Sequence, residues 1–128
     1  MSATRVFTSF DFDNDEDLRN LLIGQSKHPD SPFQLSDWSV KEPMSGDWKA
    51  KVRRRISATD LVAVICGHYT HAADGVAAEL AIARELGKPF FLLWGRSSGG
   101  VRAPRGAENE KIYEWTWSNL KILIGGGR

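Results

Sequence analysis

The sequence predicts an α/β fold in three layers, a mainly parallel five-stranded sheet between helices, and three observations carry that expectation. Strand-like and helix-like segments alternate along the chain. Leu61-Val62-Ala63-Val64-Ile65-Cys66 is an unbroken apolar run, the pattern of a central parallel strand buried on both faces. The chain has 128 residues, no internal repeat and no break at which a second domain would begin, so one domain over residues 1–128 is expected.

The first strand is Arg5-Val6-Phe7-Thr8-Ser9-Phe10, rich in β-branched and aromatic residues. Asp11 to Asp15 reads as an acidic turn able to supply a helix cap, and Asp17 to Ile23 has the apolar spacing of an amphipathic helix. Gly24 to Pro32 reads as a loop, and Phe33 to Trp38 alternates with period two, as a short second strand does. Trp48, Val52 and Ile56 recur at i, i+4 and i+8, which predicts a helix from about Trp48 to Ser57 with Asp47 as its cap. After the apolar run, Asp74 is placed to cap a helix from Gly75 to Leu86 that Gly87 ends. Phe90 to Trp94 is a fourth strand, and a glycine-rich, basic, mobile loop is expected over about 95–108. Ile112 to Trp117 suits an edge strand. The last segment, Asn119 to Ile124, reads as a helix capped by Ser118, with a strand over 120–124 as the alternative, before the glycine-rich end 125–128.

Composition narrows the function classes. A hydrophobic fraction of 41% and a charged fraction of 26% are those of a soluble globular protein. No apolar stretch is long enough for a membrane span, and no signal peptide is visible before the first strand. The single cysteine, Cys66, has no internal disulfide partner, and a cytoplasmic location is the simplest expectation. A net charge of +1 lacks the basic excess of nucleic-acid binders; the dense cluster Arg53-Arg54-Arg55 reads as a solvated helix face, with steering of an anionic ligand or partner as the alternative. His68 and His71 lack the further ligands a metal site needs, so no metal is expected. His71, near a helix start, is a candidate phosphate contact.

One residue breaks the pattern. On a helical wheel of Gly75–Gly87 at about 100° per residue, Ile82, Leu86, Ala83, Val76 and Leu80 fill one arc of roughly 160°. Glu79 falls inside that arc. A carboxylate there costs several kcal/mol unless it is paired, protonated or open to a polar cavity. Its place in the second turn puts it near the carboxyl ends of the strands, where ligands bind in sheets of this kind. Two readings stand: a functional carboxylate facing a binding crevice, or a structural ion pair.

The series Val6-Phe7-Thr8-Ser9-Phe10-Asp11, Asp37-Trp38-Ser39, Gly67-His68-Tyr69-Thr70 and Gly75-Val76-Ala77-Ala78-Glu79 resembles, in order and over about residues 6–94, the TIR-like family containing ThsB of the bacterial Thoeris antiphage system. The resemblance implies a flavodoxin-like TIR fold. In active members it implies cleavage of NAD at the nicotinamide–ribose bond, with NAD as substrate rather than cofactor. It further implies a cyclic ADP-ribose-type product that activates a partner effector. The family's catalytic glutamate falls on Glu79, and the loop lining the nicotinamide ribose falls on Ser9, Phe10 and Asp11. The loop 38–46, beginning with Trp38 and Ser39, corresponds to one that shapes the pocket and mediates self-association. Gly75 stands where many TIR enzymes carry a tryptophan. Phe10 and Trp38 each have two readings, as core residues or as platforms for nicotinamide or adenine. A non-catalytic TIR-like interaction module is the main alternative function; a nucleoside deoxyribosyltransferase is a third.

Overall fold

The computed structural model describes residues 4–31, 33–38, 46–96 and 100–126. Five strands, β1 (Thr4–Ser9), β2 (Phe33–Trp38), β3 (Leu61–Cys66), β4 (Phe90–Trp94) and β5 (Ile112–Glu114), form one all-parallel sheet in the order β2-β1-β3-β4-β5. The helices are α1 (Phe12–Ser26), α2 (Gly46–Ser57), α3 (Asp74–Glu85) and α4 (Trp117–Ile124), with a short 3-10 turn at Thr70–Ala72. This is the flavodoxin-like order, in which the chain reverses its direction of travel across the sheet between β1 and β3.

The apolar run sits where its composition requires. All six residues of β3 are buried, and they alternate between two cores. Leu61, Ala63 and Ile65 pack with Leu18 and Leu22 of α1 and with Leu120, Leu123 and Ile124 of α4. Val62, Val64 and Cys66 pack with Trp48, Val52 and Ile56 of α2 and with Val76, Leu80 and Ala83 of α3. β3 thus buries both faces, at roughly 25 cal/mol per Å² of apolar area removed from water. Parallel strands need crossovers, and those crossovers bring the helices that cover the faces.

Several boundaries differ from those the sequence predicts, each for a local reason. Helix α1 begins at Phe12, because Asp11 caps it by accepting from the Asp13 N–H, and it continues through Gly24 to Ser26. Asp74 is the first residue of α3 and not its cap; the cap position is Ala73, without a side-chain bond, and Asp74 instead pairs with Arg105. Thr116, not Ser118, caps α4 by accepting from the Asn119 N–H, which starts the helix at Trp117 and excludes a strand over 120–124. Strand β5 ends at Glu114, short of the predicted Trp117. Asp47 lies inside the first turn of α2. Gly87, at φ +68°, ends α3 in the left-handed region that favours glycine.

Gly95 packs where β4 leaves the sheet. A Cβ there would lie 2.7 Å from the Cys66 carbonyl oxygen and 2.7 Å from Leu18 Cδ1. Gly95→Ala is therefore expected to destabilise the fold by about 1–3 kcal/mol, measured as a lowered urea midpoint with an unchanged slope.

Candidate active site

Ser9 ends β1, and its side chain projects to the same face as Phe7, toward α3. In register Ser9 pairs with Val64 on β3, at the carboxyl edge beside the reversal of strand order. Glu79 reaches that edge from the second turn of α3, among buried Val76, Leu80, Ile82 and Ala83. The Ser9 hydroxyl donates to Glu79 Oε1 at 2.7 Å. Serine is 0% exposed and the glutamate 1%. A carboxylate so placed keeps its charge only with donors aimed at it, and Ser9 is one of them. The bond links residues 70 apart in sequence and fixes the orientation of the carboxylate.

The other residues singled out from the sequence take different places. Asp11 accepts from the Asp13 N–H and from Asn14 Nδ2, so its carboxylate organises the start of α1. Phe10 is 2% exposed, tilted against Phe12 with Arg19 over its ring, and belongs to the core on the α1 side. His71 is exposed in the 3-10 turn. His68 shares a hydrogen bond between Nδ1 and the Gly100 carbonyl at 2.6 Å. The side chain of Trp38, all of Ser39 and the loop 39–45 lie outside the described residues, as do 97–99 of the predicted loop after β4. Among the described residues, no group of three His, Cys, Asp or Glu side chains is placed to hold a metal ion.

A second carboxylate at this edge has no counterpart among the residues picked out in sequence. Asp15 interrupts α1 with φ −124° and ψ 19° and is 1% exposed. Its Oδ1 accepts from Arg96 at 3.0 Å, while Oδ2 is buried with no hydrogen-bond partner. The carboxylate lies against Gly67, where an added Cβ would fall 2.3 Å from Oδ2. Burial pushes the Asp15 carboxyl above its ordinary range, opposed by Arg96 and reinforced by Asp11 and Asp17. Arg96 also binds both oxygens of Asp17 at 2.8 Å and the Asn14 carbonyl at 2.7 Å, and its hydrogen bond holds Asp17 below the ordinary range. The signal was present: Asp15, Leu18 and Leu22 stand at i, i+3 and i+7, so Asp15 lies on the buried stripe of its helix. The run of five acids to which it belongs hides that position.

Cys66, next to this junction, is fully buried, and burial together with Asp15 pushes its thiol up to about 12. Beyond Arg96 a cleft of about 710 Å³ opens, lined by Leu21 and Gln25 of α1, by Trp94, Gly95 and Arg96, and by Ile112, Glu114 and Trp115.

Comparison with known proteins decides the family. Residues 7–98 match the family described as Thoeris protein ThsB, TIR-like domain. The chain belongs to that family. Among curated proteins none matches the chain. Among solved structures, the Clostridium botulinum CMP N-glycosidase BcmB is similar in fold, with 20% sequence identity, a TM-score of 0.50 and 94% of each chain covered. The ThsB-family match includes both Ser9 and Glu79, and also Asp15 and Arg96. No helix among the described residues of this TIR-like chain is long and apolar enough to cross a membrane.

Arg96→Met is expected to destabilise the fold by about 1–3 kcal/mol at pH 7, because it strands the buried Asp15. The sign with pH follows from both acids. Asp17, held below its ordinary 3.8, stabilises the fold above that pH and loses the contribution as pH falls. Asp15, raised above 3.8, opposes folding increasingly as pH rises past that value, and more so without Arg96. Urea denaturation from pH 3 to pH 7 should show the gap between wild type and variant widening as pH rises.

Proposed function

We propose that this TIR-like chain is an NAD-consuming enzyme that cleaves the nicotinamide–ribose bond, with Glu79 as its catalytic carboxylate. The observation that carries the reading is the buried Ser9–Glu79 pair at the carboxyl edge of the sheet, in a chain of the ThsB family. The name of the similar structure, a CMP N-glycosidase, denotes cleavage of the same class of bond, between a ribose carbon and a base nitrogen, and supports a nucleotide as substrate.

In this reading the C1′–N bond breaks with its electron pair passing to the pyridinium nitrogen, which leaves as neutral nicotinamide. Positive charge develops on the ribose, in an oxocarbenium-like state. A carboxylate held in one orientation stabilises that charge without reorganising, which is where preorganised electrostatics contribute most. Ser9 acts as a positioning residue through its bond to Oε1. Capture of the ribosyl cation by an adenine nitrogen of the same molecule gives a cyclic ADP-ribose-type product; capture by water gives ADP-ribose and a proton. An adenine held near C1′ outcompetes water through its high effective concentration. The cyclic product would serve as a signal to a partner effector in antiphage defence. Glu79 is 1% exposed, so a substrate reaches it only when the residues covering it move aside, in keeping with a trigger or with assembly through the loop 38–46.

The test is mass spectrometry of NAD, and in parallel CMP, incubated with concentrated protein. Wild type is expected to release nicotinamide from NAD. Glu79→Gln should abolish release, and Ser9→Ala should lower the rate about tenfold or more while circular dichroism stays unchanged. Release of cytosine from CMP, with NAD intact, would instead assign the site to nucleoside monophosphates. Undiminished turnover by Glu79→Gln would remove Glu79 from the chemistry.

A further inference from the structure

The cleft between α1 and the end of the sheet has features of a ligand site that the Ser9–Glu79 pair does not use. Its volume of about 710 Å³ falls within the range of small-molecule sites. Two large apolar side chains stand exposed in its wall, Leu21 at 54% and Trp94 at 45%. Trp115 also lines the cleft, its indole N–H donating to Gln25 Oε1 at 2.8 Å. That bond takes the amide oxygen of Gln25 and ties the end of β5 to α1.

Charge then selects the ligand. Arg96 would suggest an anion, but its guanidinium is taken by Asp17, Asp15 and the Asn14 carbonyl. Its charge is cancelled before any ligand arrives. Glu114, at the end of β5, is exposed, and among the described residues lining the cleft it is the charged side chain with no ion-pair partner. Aromatic walls with a single unmatched carboxylate favour a flat or compact cation, which gains from the ring quadrupole and from the opposite charge together. An anionic phosphate or carboxylate would meet Glu114 and the acids around Arg96 with nothing to balance it.

We propose that this cleft is a binding site, distinct from the Ser9–Glu79 pair, for a small planar organic cation, with Trp94 and Trp115 as its apolar walls and Glu114 as its counter-charge. The site stands whether or not the chain consumes NAD, since none of its lining residues belongs to the proposed chemistry.

Three probes of nearly equal shape separate the effects: benzamidine, a cation; benzamide, neutral; and benzoate, an anion. Binding is read by shifts of amide and indole N–H resonances in proton–nitrogen correlation spectra. Benzamidine is expected to shift the Trp94, Trp115 and Glu114 signals, with benzamide about tenfold weaker and benzoate silent. Glu114→Gln, a surface change with no partner to lose, should erase the preference for benzamidine over benzamide. Trp115→Ala should weaken both; Trp94→Ala provides the same reading if the first fails to fold. Equal shifts by all three probes, shifts confined to other residues, or a preference that survives Glu114→Gln would each overturn the proposal. Glu79→Gln should leave benzamidine binding unchanged, which separates this result from any outcome on NAD.

Discussion

Burial of both faces of β3 is the constraint on which the rest of the structure depends. A strand that exposes neither face to water needs a parallel neighbour on each side and a helix layer above and below. β1 and β4 supply the neighbours, α1 with α4 and α2 with α3 the layers. Once the strands run parallel, all of their carboxyl ends meet at one edge. Each crossover then begins at that edge, so it also collects Ser9, the caps of the helices and the short turns at Gly67 and Gly95. The location of polar side chains within an otherwise apolar chain follows from the direction of its strands.

Two carboxylates test that arrangement, and they are accommodated differently. Glu79 projects from α3 on one side of the sheet and is met by a neutral hydroxyl from the central strand pair. Asp15 projects from α1 on the other and is met by a guanidinium that is shared with Asp17. A guanidinium with four bonds in place moves only if several partners move together. That arrangement suits a joint between the start of α1 and the segment after β4.

Legibility in the sequence followed the strength of the periodic signal. The six-residue apolar run, the stripe Trp48–Val52–Ile56 and the position of Glu79 on its helix were readable because burial imposes a strict spacing on them. The start of α1 was not, because Asp11, Asp13 and Asp15 are each compatible with a cap, a turn or a first helical turn, and only the bond from the Asp13 N–H to Asp11 decides. Thr116 and Ser118 compete in the same way for the end of the chain. Asp15 was hidden by its neighbours: five acids in seven residues read as a solvated cluster, although one of them continues the apolar stripe. The pairing of Ser9 with Glu79, and of Arg96 with Asp15, spans 70 and 81 residues and could come only from the fold.

Cys66 gives the molecule a built-in reporter. Its sulfur sits under the layer of α2 and α3 with its ionisation pushed up to about 12, so at neutral pH the reactive thiolate is roughly a thousandfold scarcer than for an ordinary cysteine. Alkylating reagents therefore reach it only through those excursions in which the middle of the sheet parts from its helices. With a single sulfhydryl in the chain, the rate of its modification counts openings of the core beneath α2 and α3.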